Sequence, residues 1–147
     1  MAPLTSNDFT YTFQSSYPSH FVFNKLLDVR SWWSGLYSET IDGDTDVLGQ
    51  EFTFRAGGGA HYSKQKLVEL IPNKKIVWQV MDSTLSFLTN NKEWSGTKIC
   101  FDIIEHPHTT NVHFTHIGLV PNIECYGSCS HAWTQYLQQL ALALSAP

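Results

Sequence analysis

The feature that most constrains this chain is a change of period near residue 120. From Phe52 to His116 apolar residues recur mostly every second position, whereas the final 26 residues repeat every three or four. Phe52 and Phe54 alternate with Glu51, Thr53 and Arg55, and Ile76, Trp78 and Val80 share one face. Ile99, Phe101 and Ile103 do the same, followed by Val112, Phe114 and His116. Such alternation belongs to strands with one buried face. Short turns at 56–60, 72–75 and 106–110 separate these runs, so successive strands are antiparallel, because a parallel pair needs a long crossover. Cys125, Cys129, Trp133, Tyr136, Leu137, Leu140 and Leu144 then form the apolar face of one long amphipathic helix. Asn122 is its expected N-cap.

Ahead of this run, Phe9, Tyr11 and Phe13 alternate as a first strand. Pro18 suits the first position of a short helix ending near Asp28, and a second helical turn spans Val29 to Trp33 and stops at Gly35. The expected architecture is α+β: about six antiparallel strands covered on one face by the C-terminal helix, the only element long enough to do it. At 147 residues the chain reads as one domain, 1–147.

Composition narrows the function classes. Only 15% of residues are charged and 14% are aromatic, which argues for a folded, aromatic-rich domain. Nine Lys and Arg against 13 Asp and Glu leave a net charge of −4, which disfavours nucleic acid. No apolar run reaches the roughly 18 residues of a membrane helix, so no membrane insertion is expected. The opening, Met1 to Asp8, has neither the basic nor the apolar region of a secretory signal. Cys100, Cys125 and Cys129 fit no disulfide framework, and a cytoplasmic, reducing location with free thiols is the natural reading. Residues four apart on a helix hold their Cβ atoms about 5–6 Å apart, against about 3.5–4.5 Å in a disulfide. A Cys125–Cys129 bridge is therefore not expected. Nor is a zinc site, which requires two further ligands, so neither metal nor cofactor is assigned.

Several segments carry a family resemblance. They are Val29-Arg30-Ser31-Trp32-Trp33-Ser34-Gly35, the run Val68 to Trp78, Trp94 to Ile99, Phe114 to Pro121, and Glu124 to Trp133. In that order they resemble the SRPBCC (START-like) group, in particular relatives of the activator of the heat-shock protein 90 ATPase. The resemblance implies a helix-grip fold, with the sheet wrapped around the C-terminal helix and an apolar cavity between them. It also implies lipid or other small-molecule binding, catalysis on such a ligand, or a co-chaperone role, and fold analogy alone does not choose among these.

The candidate ligand-binding residues are Trp33, Phe52, Phe54, His61, Trp78, Trp94, Phe101, Phe114, His116, Tyr126 and Trp133. Rings supply apolar walls, and Trp or Tyr adds a polar handle. The segment Ser83 to Ser95 reads as a long connection able to act as a lid. His116 shares the parity of Val112 and Phe114 and therefore points inward, where it orients a ligand or acts as general acid–base. The direction of His61, beside Gly57-Gly58-Gly59, stays open. Two readings follow: a module that binds a small apolar or aromatic molecule, or an enzyme acting on one through His116. A protein partner of co-chaperone type is a third reading that no residue pattern supports. No catalytic fingerprint such as G-x-S-x-G or H-E-x-x-H occurs.

Overall fold

A computed structural model describes residues 7–145. All but Asn7 and Asp8 of the opening segment considered for a secretory signal lies outside the described residues. The elements are β1 (Phe9–Ser15), α1 (Ser19–Leu27), a 3-10 turn (Val29–Ser31), β2 (Thr40–Gly43), β3 (Glu51–Ala56), β4 (His61–Ile71), β5 (Lys75–Leu85), β6 (Lys98–Glu105), β7 (Thr110–Ile117) and α2 (Tyr126–Ala143). The strands form one antiparallel sheet in the order β1-β7-β6-β5-β4-β3-β2. Every neighbour except β1 beside β7 is consecutive in sequence, as short turns dictate.

The sheet is curved, and α2 lies against its inner face with Cys129, Trp133, Tyr136, Leu137 and Leu140 buried. Opposite them stand the inward residues of the strands, including Phe52, Phe54, Trp78, Phe101 and Phe114. The helix-grip architecture expected from the sequence is therefore present, with seven strands rather than about six. The additional strand is β2, whose only large apolar residue is Ile41, so it carries no alternation to read.

Two helix starts differ from the expectations. Pro18 is the N-cap of α1 rather than its first residue, with φ −69° and ψ 161°. The Ser19 amide donates to Glu105 Oε1 at 3.0 Å, so a carboxylate from the end of β6 satisfies this helix terminus. Helix α2 begins at Tyr126 instead of next to Asn122, because 121–125 form turns. There the Glu124 and Cys125 amides donate to the Glu93 carboxylate at 2.9 and 3.0 Å. The turn leading into the helix is thus held by a side chain from the β5–β6 loop. In return the Glu124 carboxylate accepts from the Thr89 and Asn90 amides of that loop, at 2.9 and 3.3 Å. The two carboxylates form a reciprocal clasp between loop and helix. Since β5 runs to Leu85, the connection expected from Ser83 is 86–97.

The cysteines require a correction. Cys125 and Cys129 are disulfide-bonded, with Cα atoms 5.5 Å apart, inside the range a disulfide spans. The spacing argument took both residues as helical. Cys125 sits at the N-cap with φ −74° and ψ −14°, and its carbonyl accepts from the Cys129 amide at 2.8 Å, so the bond forms across one helical turn. Cys100 alone is a free thiol, buried on β6, where desolvation and then the Asp102 charge push its pKa up. The expectation of three free thiols fails, and the reducing-compartment reading loses that support.

Candidate functional site

The inner face of the sheet and α2 do not meet evenly along their length. At the end where the β3–β4 hairpin, the β5–β6 loop and the first turns of α2 converge, a pocket of about 300 Å³ opens. Trp33, just after the 3-10 turn, and Phe54 of β3 stack with ring centroids 3.9 Å apart. Trp133 of α2 stacks on Trp33 at 5.0 Å, and Trp94 of the β5–β6 loop lies parallel to Trp133 at 6.0 Å. These four rings form the walls. Cys129, Ala132 and Tyr136 complete the helix side, with Ser128 and the exposed His131 also lining the pocket. Phe87, an exposed aromatic on the loop, closes part of the rim.

The hairpin 56–60 reaches the pocket through Ala56, Gly57 and Ala60. Gly57, Gly58 and Gly59 all have positive φ, between 63° and 94°, a conformation that glycine adopts without a Cβ penalty. The Gly57 amide donates to Tyr37 O at 2.8 Å, which ties the hairpin to the segment after Trp33. Tyr37 is itself a lining residue, and its hydroxyl donates to Gln135 Oε1 at 2.5 Å.

Polar groups at this pocket are few. His61, the first residue of β4, is half-buried, with Phe54 and Trp94 edge-on to its ring at 5.2 and 4.5 Å. Burial among these groups pushes its pKa down to about 4, so the imidazole is neutral at physiological pH. Tyr136 donates its hydroxyl proton to Glu39 Oε2. Burial, then the bond to Glu39, raises the Tyr136 pKa. For Glu39 itself burial acts upward, but the Tyr136 hydroxyl and the Tyr37 and Leu36 amides outweigh it and hold the carboxyl low.

His116 occupies a different environment. It is fully buried and does not line the pocket. Thr97 Oγ1 donates to Trp94 O at 2.6 Å, so at the 2.8 Å contact with His116 Nε2 the imidazole is the donor. His116 Nδ1 in turn accepts from Trp133 Nε1 at 3.0 Å. Both ring nitrogens are occupied by protein, and desolvation, then the neighbouring His61, pushes the pKa down to about 3. The ring locks two pocket walls, Trp94 and Trp133, into position through Thr97 and the indole N–H. Gly118 follows with φ 102°, and a Cβ there would come 2.7 Å from Thr97 Cγ2. A side chain at this position would disturb the His116 partner.

Of the sequence candidates, Trp33, Phe54, His61, Trp94 and Trp133 converge on the pocket. Phe52, Trp78, Phe101 and Phe114 share the same sheet face but lie deeper in the core, each almost fully buried, and do not line it. Tyr126 packs partly buried at the start of α2 and also lies outside the lining. Tyr37, Phe87, Cys129 and Tyr136 line the pocket without having been singled out as ligand-binding residues. Tyr136 had been legible only as part of the apolar helix face. Among the described residues no group of three or more His, Cys, Asp or Glu could hold a metal ion. No helix among them is long and apolar enough to cross a membrane.

The family model described as activator of Hsp90 ATPase homolog 1-like protein matches residues 18–145. The chain belongs to this family. The AHSA1-like assignment agrees with solved structures. The Aha1 dimer from Colwellia psychrerythraea is 25% identical with a TM-score of 0.72, over 94% of this chain and 96% of that one. Protein CV1439 from Chromobacterium violaceum is 16% identical with a TM-score of 0.70, covering 97% and 100%. Protein MLL2253 from Mesorhizobium loti is 18% identical with a TM-score of 0.67, covering 92% and 96%. No curated protein sequence matches this AHSA1-like chain.

Proposed function

We propose that this AHSA1-like domain is a binding module for a small apolar or aromatic molecule, held in the pocket between the sheet and α2. The observation that carries this reading is the wall of Trp33, Phe54, Trp94 and Trp133 around about 300 Å³ of space. At about 30 Å³ per water in the liquid, that space equals roughly ten waters, which an apolar occupant would release. A few polar groups at an otherwise apolar site orient a ligand rather than hold it. His116 has no free nitrogen to offer a substrate, so acid–base chemistry through it finds no support in the geometry. Two of the walls are tryptophans in contact with Trp133, which makes intrinsic fluorescence a direct readout.

The test is titration of the purified protein with naphthalene, following tryptophan quenching, alongside native mass spectrometry of protein isolated from its own host. Saturable binding at one site, lost on narrowing the pocket with Ala132→Trp, is the expected result. Quenching that never saturates, or is unchanged in Ala132→Trp, overturns the proposal.

A further inference from the structure

The polar corner of the pocket makes a more specific statement about its occupant. His61, Ser63 and Gln65 share one face of β4, and Ser63 and Gln65 are fully buried. With the Gln65 amide nitrogen toward Phe52 O and Ser63 O, both at 3.3 Å, its oxygen accepts from Ser63 Oγ at 2.5 Å. The Ser63 proton is then committed to Gln65. At the long 3.5 Å contact between Ser63 Oγ and His61 Nε2, the serine oxygen is therefore left as acceptor. The neutral His61 carries its proton on Nε2, and Nδ1 is a lone-pair acceptor with no protein partner among the described residues.

A second observation lies beside it. Trp94, whose ring stands edge-on to His61 at 4.5 Å, is 3% exposed, and its Nε1–H has no acceptor. A buried indole donor without a partner is uncommon and calls for an explanation. The pocket corner thus offers one acceptor without a protein partner, His61 Nδ1, while the Trp94 Nε1–H beside it is buried behind the pocket wall. A ring hydroxyl is a small uncharged group that answers this acceptor by donating its proton. Charge narrows the choice further. The lining contains no Lys or Arg, and its second histidine, His131, stands at the exposed rim. A carboxylate or phosphate seated at the His61 corner would be desolvated without a counter-ion.

We infer that the pocket takes an uncharged aromatic molecule bearing a ring hydroxyl, whose O–H donates to His61 Nδ1 beside the unused indole N–H of Trp94. This rests on the binding reading above and specifies the class of ligand. It excludes fatty acids and phosphorylated lipids as occupants of this corner. The depressed His61 pKa agrees, since a neutral imidazole keeps Nδ1 available as an acceptor.

Three probes of one skeleton test it: naphthalene, 2-naphthol and 2-naphthoate, titrated near neutral pH, where the first two are neutral and the third is an anion. 2-Naphthol is expected to bind more tightly than naphthalene by roughly 2–10-fold, the effect of one net hydrogen bond. 2-Naphthoate is expected to bind more weakly than naphthalene by at least about tenfold, from the unpaired charge. The hydroxyl preference should vanish in His61→Leu. Nitrogen NMR of the wild-type histidines gives a readout that needs no variant: the His61 Nδ1 resonance should move on adding 2-naphthol and not on adding naphthalene. If naphthalene binds but 2-naphthol gains nothing, or 2-naphthoate binds equally well, the ligand class is wrong and the binding reading survives. If no member of the series binds, both fall.

Discussion

Replacing His116 with leucine tests whether this histidine is a structural bracket. Leucine is of similar bulk and fills the site without offering an acceptor or a donor. Trp133 Nε1–H, on a side chain 2% exposed, then loses its only acceptor and cannot turn to water. A buried donor left unsatisfied costs about 1–3 kcal/mol, and the lost bond to Thr97 adds about 0.5–1.5 kcal/mol. The expected loss is therefore roughly 2–4 kcal/mol, or about 4–15 °C in melting temperature at ~2–4 °C per kcal/mol for a chain near this length. The decisive measurement is a double-mutant cycle with Trp133→Phe, read by urea unfolding followed by circular dichroism. Phenylalanine removes the stranded donor, so His116→Leu should cost about 1–3 kcal/mol less in that background than in the wild type. If the two substitutions add to within ~0.3–0.5 kcal/mol, the indole–imidazole bond contributes nothing and the bracket is refuted.

Acid should weaken the fold through His61 and His116, both desolvated in the folded chain. Each has a folded pKa below its ordinary 6.5, about 4 for His61 and about 3 for His116, so between those values and 6.5 the unfolded chain binds more protons. Their contribution is complete above about pH 6.5 and is lost progressively as pH falls towards 4 and 3. The slope of stability with pH should be shallower in His61→Leu, and an unchanged slope would contradict the lowered His61 pKa. Thiol titration of unfolded protein without reductant should find one reactive group per chain, Cys100, and three after reduction. Three without reductant would remove the Cys125–Cys129 bond.

Much of the fold is written in local pattern. Alternation marks β3 to β7 because each buries one face, and the three-to-four spacing of Cys129, Trp133, Leu137 and Leu140 marks α2. What local pattern cannot convey is distance along a strand. Parity places Phe54, Trp78 and Phe114 on one face, but whether a ring borders the pocket or packs below it depends on strand length and register. That register includes the irregularities of β4 at Lys64/Gln65 and Leu67/Glu69. The same limit explains His116: parity correctly turned it inward, but its partners, Thr97 and Trp133, are 19 and 17 residues away. The start of α2 was misplaced for an equivalent reason. Asn122 looks like a cap in isolation, whereas the helix starts only after a turn whose Glu124 and Cys125 amides donate to Glu93, 32 residues before Cys125. Long-range partners of this kind leave no periodic trace.

The clasp formed by Glu93 and Glu124 has a kinetic consequence. The β5–β6 loop carries Phe87 and Trp94 to the pocket, and the first turns of α2 carry Ser128 and Cys129 to its opposite side. Because each segment supplies the carboxylate that holds the other, neither can lift without releasing amides on both. Opening the mouth on this side is then one concerted event, not the flapping of a loose loop. The charge-assisted hydrogen bonds broken in that event add to the cost of opening this side of the mouth. The walls and the His61 corner face the pocket, whereas the two glutamates that hold this side of its mouth together lie outside the lining.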